Sequence, residues 1–189
     1  MTAAGSPAQE ATVSVVDGRT RLTFTFDDLI RYHGRESVGG LALGFKVLER
    51  GLPLLSPDGP VERREVTVAT AFDGPGARDA FEMVVRAVTG ERYSVVPDLA
   101  GPGAPEAPQG HFVFRLGLGD AATDLVLRPG FVGDDFVALV RKGPEGEAEE
   151  EQLVAMKEDL AARVLARPAA EVYDAAVSRS ASQRASSTA

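Results

Sequence analysis

The chain has 189 residues, of which 44% are hydrophobic and 25% charged. These values are typical of a globular protein with one domain and a core of its own, and they leave too little chain for two ordinary domains. The absence of cysteine excludes disulfides, thiolate metal ligands and a thiol nucleophile. The formal charge of −8, without a cluster of Lys and Arg, argues against a nucleic-acid partner.

The two ends of the chain are predicted to be disordered. Residues 1–9 and the small polar segment 178–189 bury too little apolar surface to become ordered, so residues 10–177 are expected to form the single domain. The N-terminus lacks the features of a signal peptide, and no apolar run reaches membrane-spanning length. We therefore expect a cytoplasmic protein without a membrane partner. Its abundant Ala, Gly, Val, Arg and Asp suggest a GC-rich bacterial genome.

The first elements in the chain are a hairpin and a short helix. The segment ATVSVVDGRTRLTFTF alternates apolar and polar residues on both sides of Asp17-Gly18, which is typical of two strands joined by a tight turn. Thr25 followed by Asp28 can cap a helix that runs from Asp27 to about His33, where Gly34 weakens it.

A second, apolar helix follows. It is expected to start near Ser37 or Gly39 and to end at Gly51, with Pro53 beyond it as a stop signal. Gly40 and Gly44 lie one turn apart and create a smooth strip that another backbone can approach closely. That strip, with Leu43, could form a contact between two copies of the chain, or it could accommodate another element of the same chain.

The middle of the chain predicts a strand, a helix and three further strands. The segment 61–72 alternates as a strand does, and 73–90 carries a continuous apolar stripe with Pro75 in its first turn and Gly90 at its end. A loop rich in Pro and Gly separates two of the three later strands, which are predicted at 92–96, 111–118 and 123–127.

The last third predicts three helices. They cover 131–141, an acidic start EGEAEEEQ that continues to Ala166, and PAAEVYDAAV from Pro168. The element order therefore indicates the α+β class. We expect a mixed, mostly antiparallel sheet, covered on one side by the two apolar helices, with the C-terminal helices appended.

Two motifs resemble the FmdE-like family of formylmethanofuran dehydrogenase subunits. The segment RYHGRESVGGLALGFKVLERGL is similar to the family's aromatic, His-Gly-His, Cys-Pro-Gly and Leu-Ala-Leu-Gly-aromatic pattern at Tyr32, His33, Gly34 and 41–45. GARDAFEMVVRAVTGERYS is similar to its Cys-x-x-Asp-Ala helix and Thr-Gly-Cys-Thr, and VLARPAAEVYDAAV to its Pro-x-Glu-Leu-Phe ending. The resemblance covers about residues 24–176.

The departures from this family concern its ligands. Arg35 replaces the second histidine, Ser37 or Val38 the motif cysteine, and Gly76 and Glu91 the cysteines that flank the later helix. The resemblance implies a helix–strand–helix–three-strand core (FwdE/GAPDH-domain-like) that usually pairs into homodimers. It implies no thiolate metal site for this chain, and we expect no cofactor.

The glycines before the two apolar helices favour a site for a small anion. Exposed N–H groups at helix starts attract carboxylates, and arginine forks suit such oxyanions, provided that the two starts lie side by side. A carboxylate-type small molecule is therefore the expected partner. The candidate ligand-binding residues are Arg31, Tyr32, Arg35, Glu36, Gly39, Gly40, Arg78 and Arg92.

His33 is the candidate for acid–base chemistry, because histidine titrates near neutrality. Asp79 could orient it, and Ser37 could act as a nucleophile or, alternatively, cap the second helix. Two other interpretations stay open. A metal could bind His33 with Glu36 and Asp79, although Arg35 would repel a cation, or the chain could be a dimeric accessory module without chemistry.

Overall fold

The computed structural model describes residues 11–179, in which seven strands and six α-helices form two sheets and the helices that cover them. The strands are β1 (Thr12–Asp17), β2 (Thr20–Thr25), β3 (Thr67–Phe72), β4 (Tyr93–Val95), β5 (Gly110–Leu118), β6 (Ala121–Leu127) and β7 (Tyr173–Arg179). The helices are α1 (Phe26–His33), α2 (Val38–Leu55), α3 (Pro75–Val85), α4 (Asp134–Lys142), α5 (Glu147–Leu165) and α6 (Ala169–Val172). The predicted disordered ends lie outside the described residues, except that β7 includes Ser178 and Arg179.

The main sheet has five strands in the order β4-β3-β5-β6-β7. Only the short β3–β4 pair is parallel, and the other pairs are antiparallel. The predicted α+β class with a mixed, mostly antiparallel sheet is therefore confirmed. Helices α2 and α3 cover one face of the sheet. Their buried apolar residues join those of β3, β5 and β6 in a single core.

The hairpin and the first helix have the predicted form. Val13 pairs with Phe24 across β1 and β2, and Gly18 occupies the turn with a φ of 62°, where glycine is favoured. Thr25 then caps α1. Its hydroxyl accepts a hydrogen bond from the Asp28 backbone N–H while the Asp28 carboxylate accepts one from the Thr25 N–H, a reciprocal capping box.

Helix α2 is longer than the sequence predicted. It continues past Gly51 to Leu55 and includes Pro53 in its last turn, so the predicted end at Gly51 is wrong. A Cβ atom at Gly51 would lie 2.6 Å from a methyl carbon of Leu116 and 3.2 Å from one of Leu125. The glycine therefore allows the helix to approach the sheet and does not end it.

The segments on either side of α3 also differ from the prediction. β3 begins at Thr67 and not at 61, and α3 ends at Val85 instead of Gly90. Arg86 adopts a left-handed conformation with a φ of 52°, which turns the chain away from the helix axis. This end has no recognisable signal in the sequence, because left-handed caps are usually glycine or asparagine.

The last predicted helix is wrong after its first turn. Only Ala169–Val172 is helical, and Tyr173–Arg179 forms β7 along β6 at the edge of the sheet. The Tyr173 side chain is fully buried, its ring packs edge-on against Phe114, and its hydroxyl donates a hydrogen bond to the Leu43 carbonyl at 3.2 Å. This tertiary packing overrides the helical preference of the neighbouring alanines.

Among residues 11–179, no helix combines the length and the apolarity that are needed to cross a membrane.

Candidate functional site

The first turns of α2 and α3 lie in contact. A Cβ atom at Gly40 would be 3.6 Å from backbone atoms of Gly76 and Ala77, and one at Gly76 would be 2.6 Å from the Leu41 nitrogen. Gly44 is as close to Ala77 and would also meet the Ala80 methyl group. The glycine strip of α2 is therefore used within the chain, against α3, and it is not exposed for a second copy.

Neither of these helix starts is capped by a side chain. Ser37 and Gly74 occupy the N-cap positions of α2 and α3 without a side-chain hydrogen bond, and neither first turn contains an acidic residue. Backbone N–H groups at such starts carry a partial positive charge that a carboxylate usually balances. In α1 the same positions are balanced by Asp27 and Asp28, which makes the two uncapped starts a specific feature of this corner of the fold.

His33, the last residue of α1, is bonded to α3. Its Nδ1 atom lies 2.7 Å from Oδ2 of Asp79, and the side chains are 9% and 30% exposed. Because a carboxylate oxygen accepts hydrogen bonds, the proton of the neutral ring is assigned to Nδ1. The other ring nitrogen, Nε2, then carries the lone pair.

The Nε2 atom of His33 is buried and has no hydrogen-bond partner among the described residues. Buried polar atoms without a partner are rare in native proteins because each one costs free energy of desolvation. A ring held at Nδ1 by a carboxylate and open at Nε2 is also the arrangement in which histidine accepts or donates a proton in catalysis. Chemically, this atom can bind a hydroxyl, a carboxylate or a transferable proton.

An apolar cavity of about 170 Å³ lies beside the helix starts. Ser37 and Gly40 of α2 line it from one side, and Gly76 lines it from α3. Lys157 of α5 also lines it, and the Lys157 ammonium group donates a hydrogen bond of 2.9 Å to the Glu36 carbonyl in the turn before α2. The remaining wall is mostly aromatic and aliphatic.

The His33–Asp79 pair is close to this cavity along α3. Asp79 follows the cavity-lining Pro75 by four residues, so the two share one face of the helix a single turn apart. His33 itself is not among the residues that line the cavity. The predicted catalytic residues thus form a bonded pair, His33 and Asp79, with Ser37 at the neighbouring cavity.

The predicted ligand-binding side chains are only partly brought together. Tyr32, Arg35, Glu36 and Arg78 are exposed around the α1–α2 turn and the start of α3, and Gly39 packs against Leu160 of α5. Arg31 is turned to solvent and paired with Asp28 at 2.8 Å. Arg92 is bonded to the Val66, Val85 and Arg86 carbonyls at the opposite end of α3, so it does not join the others.

Sequence reasoning missed two side chains near this corner. Lys157 lies in an acidic helix far along the chain, and nothing in a single sequence links it to Glu36. Tyr93 of β4 is the other, and its buried hydroxyl has no partner among the described residues. Burial, assisted by the charge of Asp73 and opposed by that of Arg78, raises the pKa of Tyr93 to about 12.

A second cavity lies at the far end of α2. It measures about 280 Å³ and is lined by the hairpin, by the last turns of α2 and by the loop after them. Its carboxylate, that of Glu49, is 2.7 Å from the Lys46 ammonium group, so its charge is already balanced. Within residues 11–179, no three side chains of His, Asp or Glu are grouped so that they could hold a metal ion.

Neither a scan against models of known protein families nor a search of curated proteins finds a match for this chain. The FmdE-like resemblance therefore depends on the motif residues alone. Function has to be argued from the geometry of the corner formed by α1, α2 and α3.

Proposed function

We propose that this chain is a cytoplasmic, FmdE-like protein that binds or transforms a small anionic molecule of the carboxylate type, without a thiolate metal site. His33 is the hydrogen-bonding or proton-transferring residue, and Asp79 orients it. The single observation that carries the proposal is the buried Nε2 atom of His33, which has no partner among residues 11–179 although Nδ1 is held by Asp79.

Three further features support an anion as the ligand. The uncapped starts of α2 and α3 lie side by side, and N–H groups in this arrangement attract negative charge. Lys157 places an ammonium group beside the α2 start. Arg35 and Arg78 are exposed nearby and can attract an anion from solvent, in a chain whose overall charge is −8.

The experiment is a thermal unfolding series with acetate, formate and phosphate, each compared with chloride at equal ionic strength. A ligand at 100 times its Kd stabilises a protein by about 2.7 kcal/mol, which for a chain of this size raises Tm by roughly 5–10 °C. We expect such a rise with at least one carboxylate. It should disappear in His33→Gln and weaken in Arg35→Ala and Arg78→Ala.

Arg19→Ala is the matched control, because Arg19 is exposed in the hairpin turn and its loss changes the net charge equally. A ligand effect that Arg19→Ala reduces as much as Arg35→Ala does would indicate non-specific attraction. No response of the wild type to any of the three anions would reject the proposal and favour a non-catalytic dimeric module. Stabilisation by Zn²⁺ alone, lost in His33→Gln, would favour weak metal binding instead.

A further inference from the structure

The cavity beside the α2 and α3 starts has a composition that specifies more than negative charge. Its floor is formed by Phe72 at the end of β3 and Phe112 of β5, whose ring centroids are 4.8 Å apart. Phe136 and Val140 of α4 close another side. A formate or phosphate ion would leave these apolar walls without a partner, so they indicate a ligand with an apolar body.

The charge in this cavity is at one place. The side-chain stem of Lys157 contributes to the wall, while its ammonium group reaches the Glu36 carbonyl at the turn before α2. An ammonium group has three donors, and this hydrogen bond uses one of them within residues 11–179. The other two donors, with the Ser37 hydroxyl that makes no cap bond, can bind one carboxylate.

The volume limits the size of the ligand. At about 170 Å³ the cavity is well below the roughly 300–1,000 Å³ of sites for drug-sized molecules. It is close to the roughly 150 Å³ of an engineered apolar cavity that binds benzene. A single six-membered ring, or a branched aliphatic group of similar size, is the largest body that fits.

We infer that the cavity takes a monocarboxylate with a compact apolar body of about six carbons, whose carboxylate pairs with Lys157 and whose body lies between Phe112 and α4. The inference rests on the proposed function and specifies its ligand class. Phe136 and Val140 are the specificity-determining residues, since they are the part of the wall that α4 contributes.

The test is a titration of the purified full chain with benzoate, benzamide and acetate, followed by calorimetry or by protein NMR shifts. Benzamide has the same body without the charge, and acetate has the charge without the body. We expect benzoate to bind at least about tenfold more tightly than either, because each loses one desolvated contact. Lys157→Met, which keeps the stem and removes the ammonium group, should weaken benzoate about tenfold and benzamide hardly at all.

Val140→Phe should fill the cavity and abolish benzoate binding. Its matched control is Val154→Phe, since Val154 is 54% exposed on α5 and does not line the cavity. Urea unfolding of both variants shows whether they fold. If Val140→Phe is unstable, Phe136→Ala replaces it, and this variant should enlarge the cavity and raise the affinity for naphthoate relative to benzoate.

The outcomes separate the two proposals. If acetate binds as tightly as benzoate and is lost in His33→Gln but kept in Val140→Phe, the ligand class is wrong and the proposed function stands. If benzoate depends on Val140 and Lys157 but not on His33, the cavity assignment stands and the role of His33 is wrong. If none of the three probes binds, both are rejected.

Discussion

Gly76 of α3 lies so close to Leu41 of α2 that a Cβ atom at position 76 would be 2.6 Å from the Leu41 backbone nitrogen. Backbone atoms cannot move aside as the end of a side chain can. We therefore expect Gly76→Ala to lower the free energy of unfolding by about 3 kcal/mol, the upper part of the range for overpacking. The better helix propensity of alanine returns only about 1 kcal/mol. Urea unfolding measures the difference.

Gly59→Ala is the control for this substitution. A Cβ atom at Gly59 would have no neighbour within 4 Å, and the residue lies in the loop after α2. Its unfolding free energy should stay within about 0.5 kcal/mol of the wild type. If Gly76→Ala were as harmless as Gly59→Ala, the two helix starts could not be in contact, and the cavity between them would lose its basis.

The bond between His33 and Asp79 predicts the tautomer of the imidazole. In the wild type the carboxylate accepts from Nδ1, so the neutral ring should carry its proton there, and nitrogen NMR of the ring distinguishes the two forms. Asp79→Ala should remove this preference and produce a mixture of tautomers. The exposed Glu36→Gln variant controls for the loss of one nearby carboxylate and should leave the ring signals unchanged. Identical spectra in the wild type and Asp79→Ala would contradict the bond.

The parts of the fold that the sequence predicted depend on neighbours in the chain. The capping box of Thr25 and Asp28 and the turn at Gly18 involve residues a few positions apart, so each signal is complete within a short segment. Gly51 has the local pattern of a helix stop as well, yet its role is decided by Leu116 and Leu125 on the facing sheet. A local signal could not distinguish an end from a close approach.

The candidate site divides in the same way. The glycines before α2 and α3 and the polar residues around His33 stand out in the sequence because their local pattern is unusual. Lys157 joins them only because α5 crosses the start of α2, a contact that no periodicity encodes. β7 is a similar case, since its alanines favour a helix and the exposed edge of β6 makes them a strand.

Two tyrosines should respond in opposite ways to the loss of their hydroxyl groups. The Tyr173 hydroxyl donates to the Leu43 carbonyl, so Tyr173→Phe should lower the unfolding free energy by about 1 kcal/mol. The Tyr93 hydroxyl is buried without a partner among residues 11–179. Tyr93→Phe should therefore be neutral or stabilise the protein by up to about 1 kcal/mol.

Urea unfolding of the two phenylalanine variants in parallel is the measurement, because each substitution removes one oxygen atom and keeps the ring. A clear loss of stability in Tyr93→Phe would mean that its hydroxyl has a partner, which a ligand or an ordered water could supply. Equal losses in both variants would contradict the difference in hydrogen bonding that separates the two side chains.

Glu82 should make the stability of the protein depend on acidic pH. Its carboxylate accepts hydrogen bonds from the Val88 N–H, the Thr89 N–H and the Thr89 hydroxyl, at 2.9, 3.0 and 2.7 Å, and so ties the end of α3 to the following turn. Burial raises the pKa of this carboxyl, but the hydrogen bonds outweigh burial and hold the pKa below its ordinary value of 4.5.

A carboxyl whose pKa is lowered by folding contributes its full stabilisation above the unfolded pKa, and this is lost as the pH falls through the folded pKa. Glu82→Gln should therefore be less stable than the wild type by about 1–3 kcal/mol at pH 7, because its amide cannot accept all three bonds. The difference should shrink steadily as the pH is lowered from about 5 to about 3. Urea midpoints at several pH values measure it, with the exposed Glu158→Gln as the control for one lost charge. A difference as large at the acidic end of this range as at neutral pH would show that the loss comes from packing and not from the ionised carboxylate.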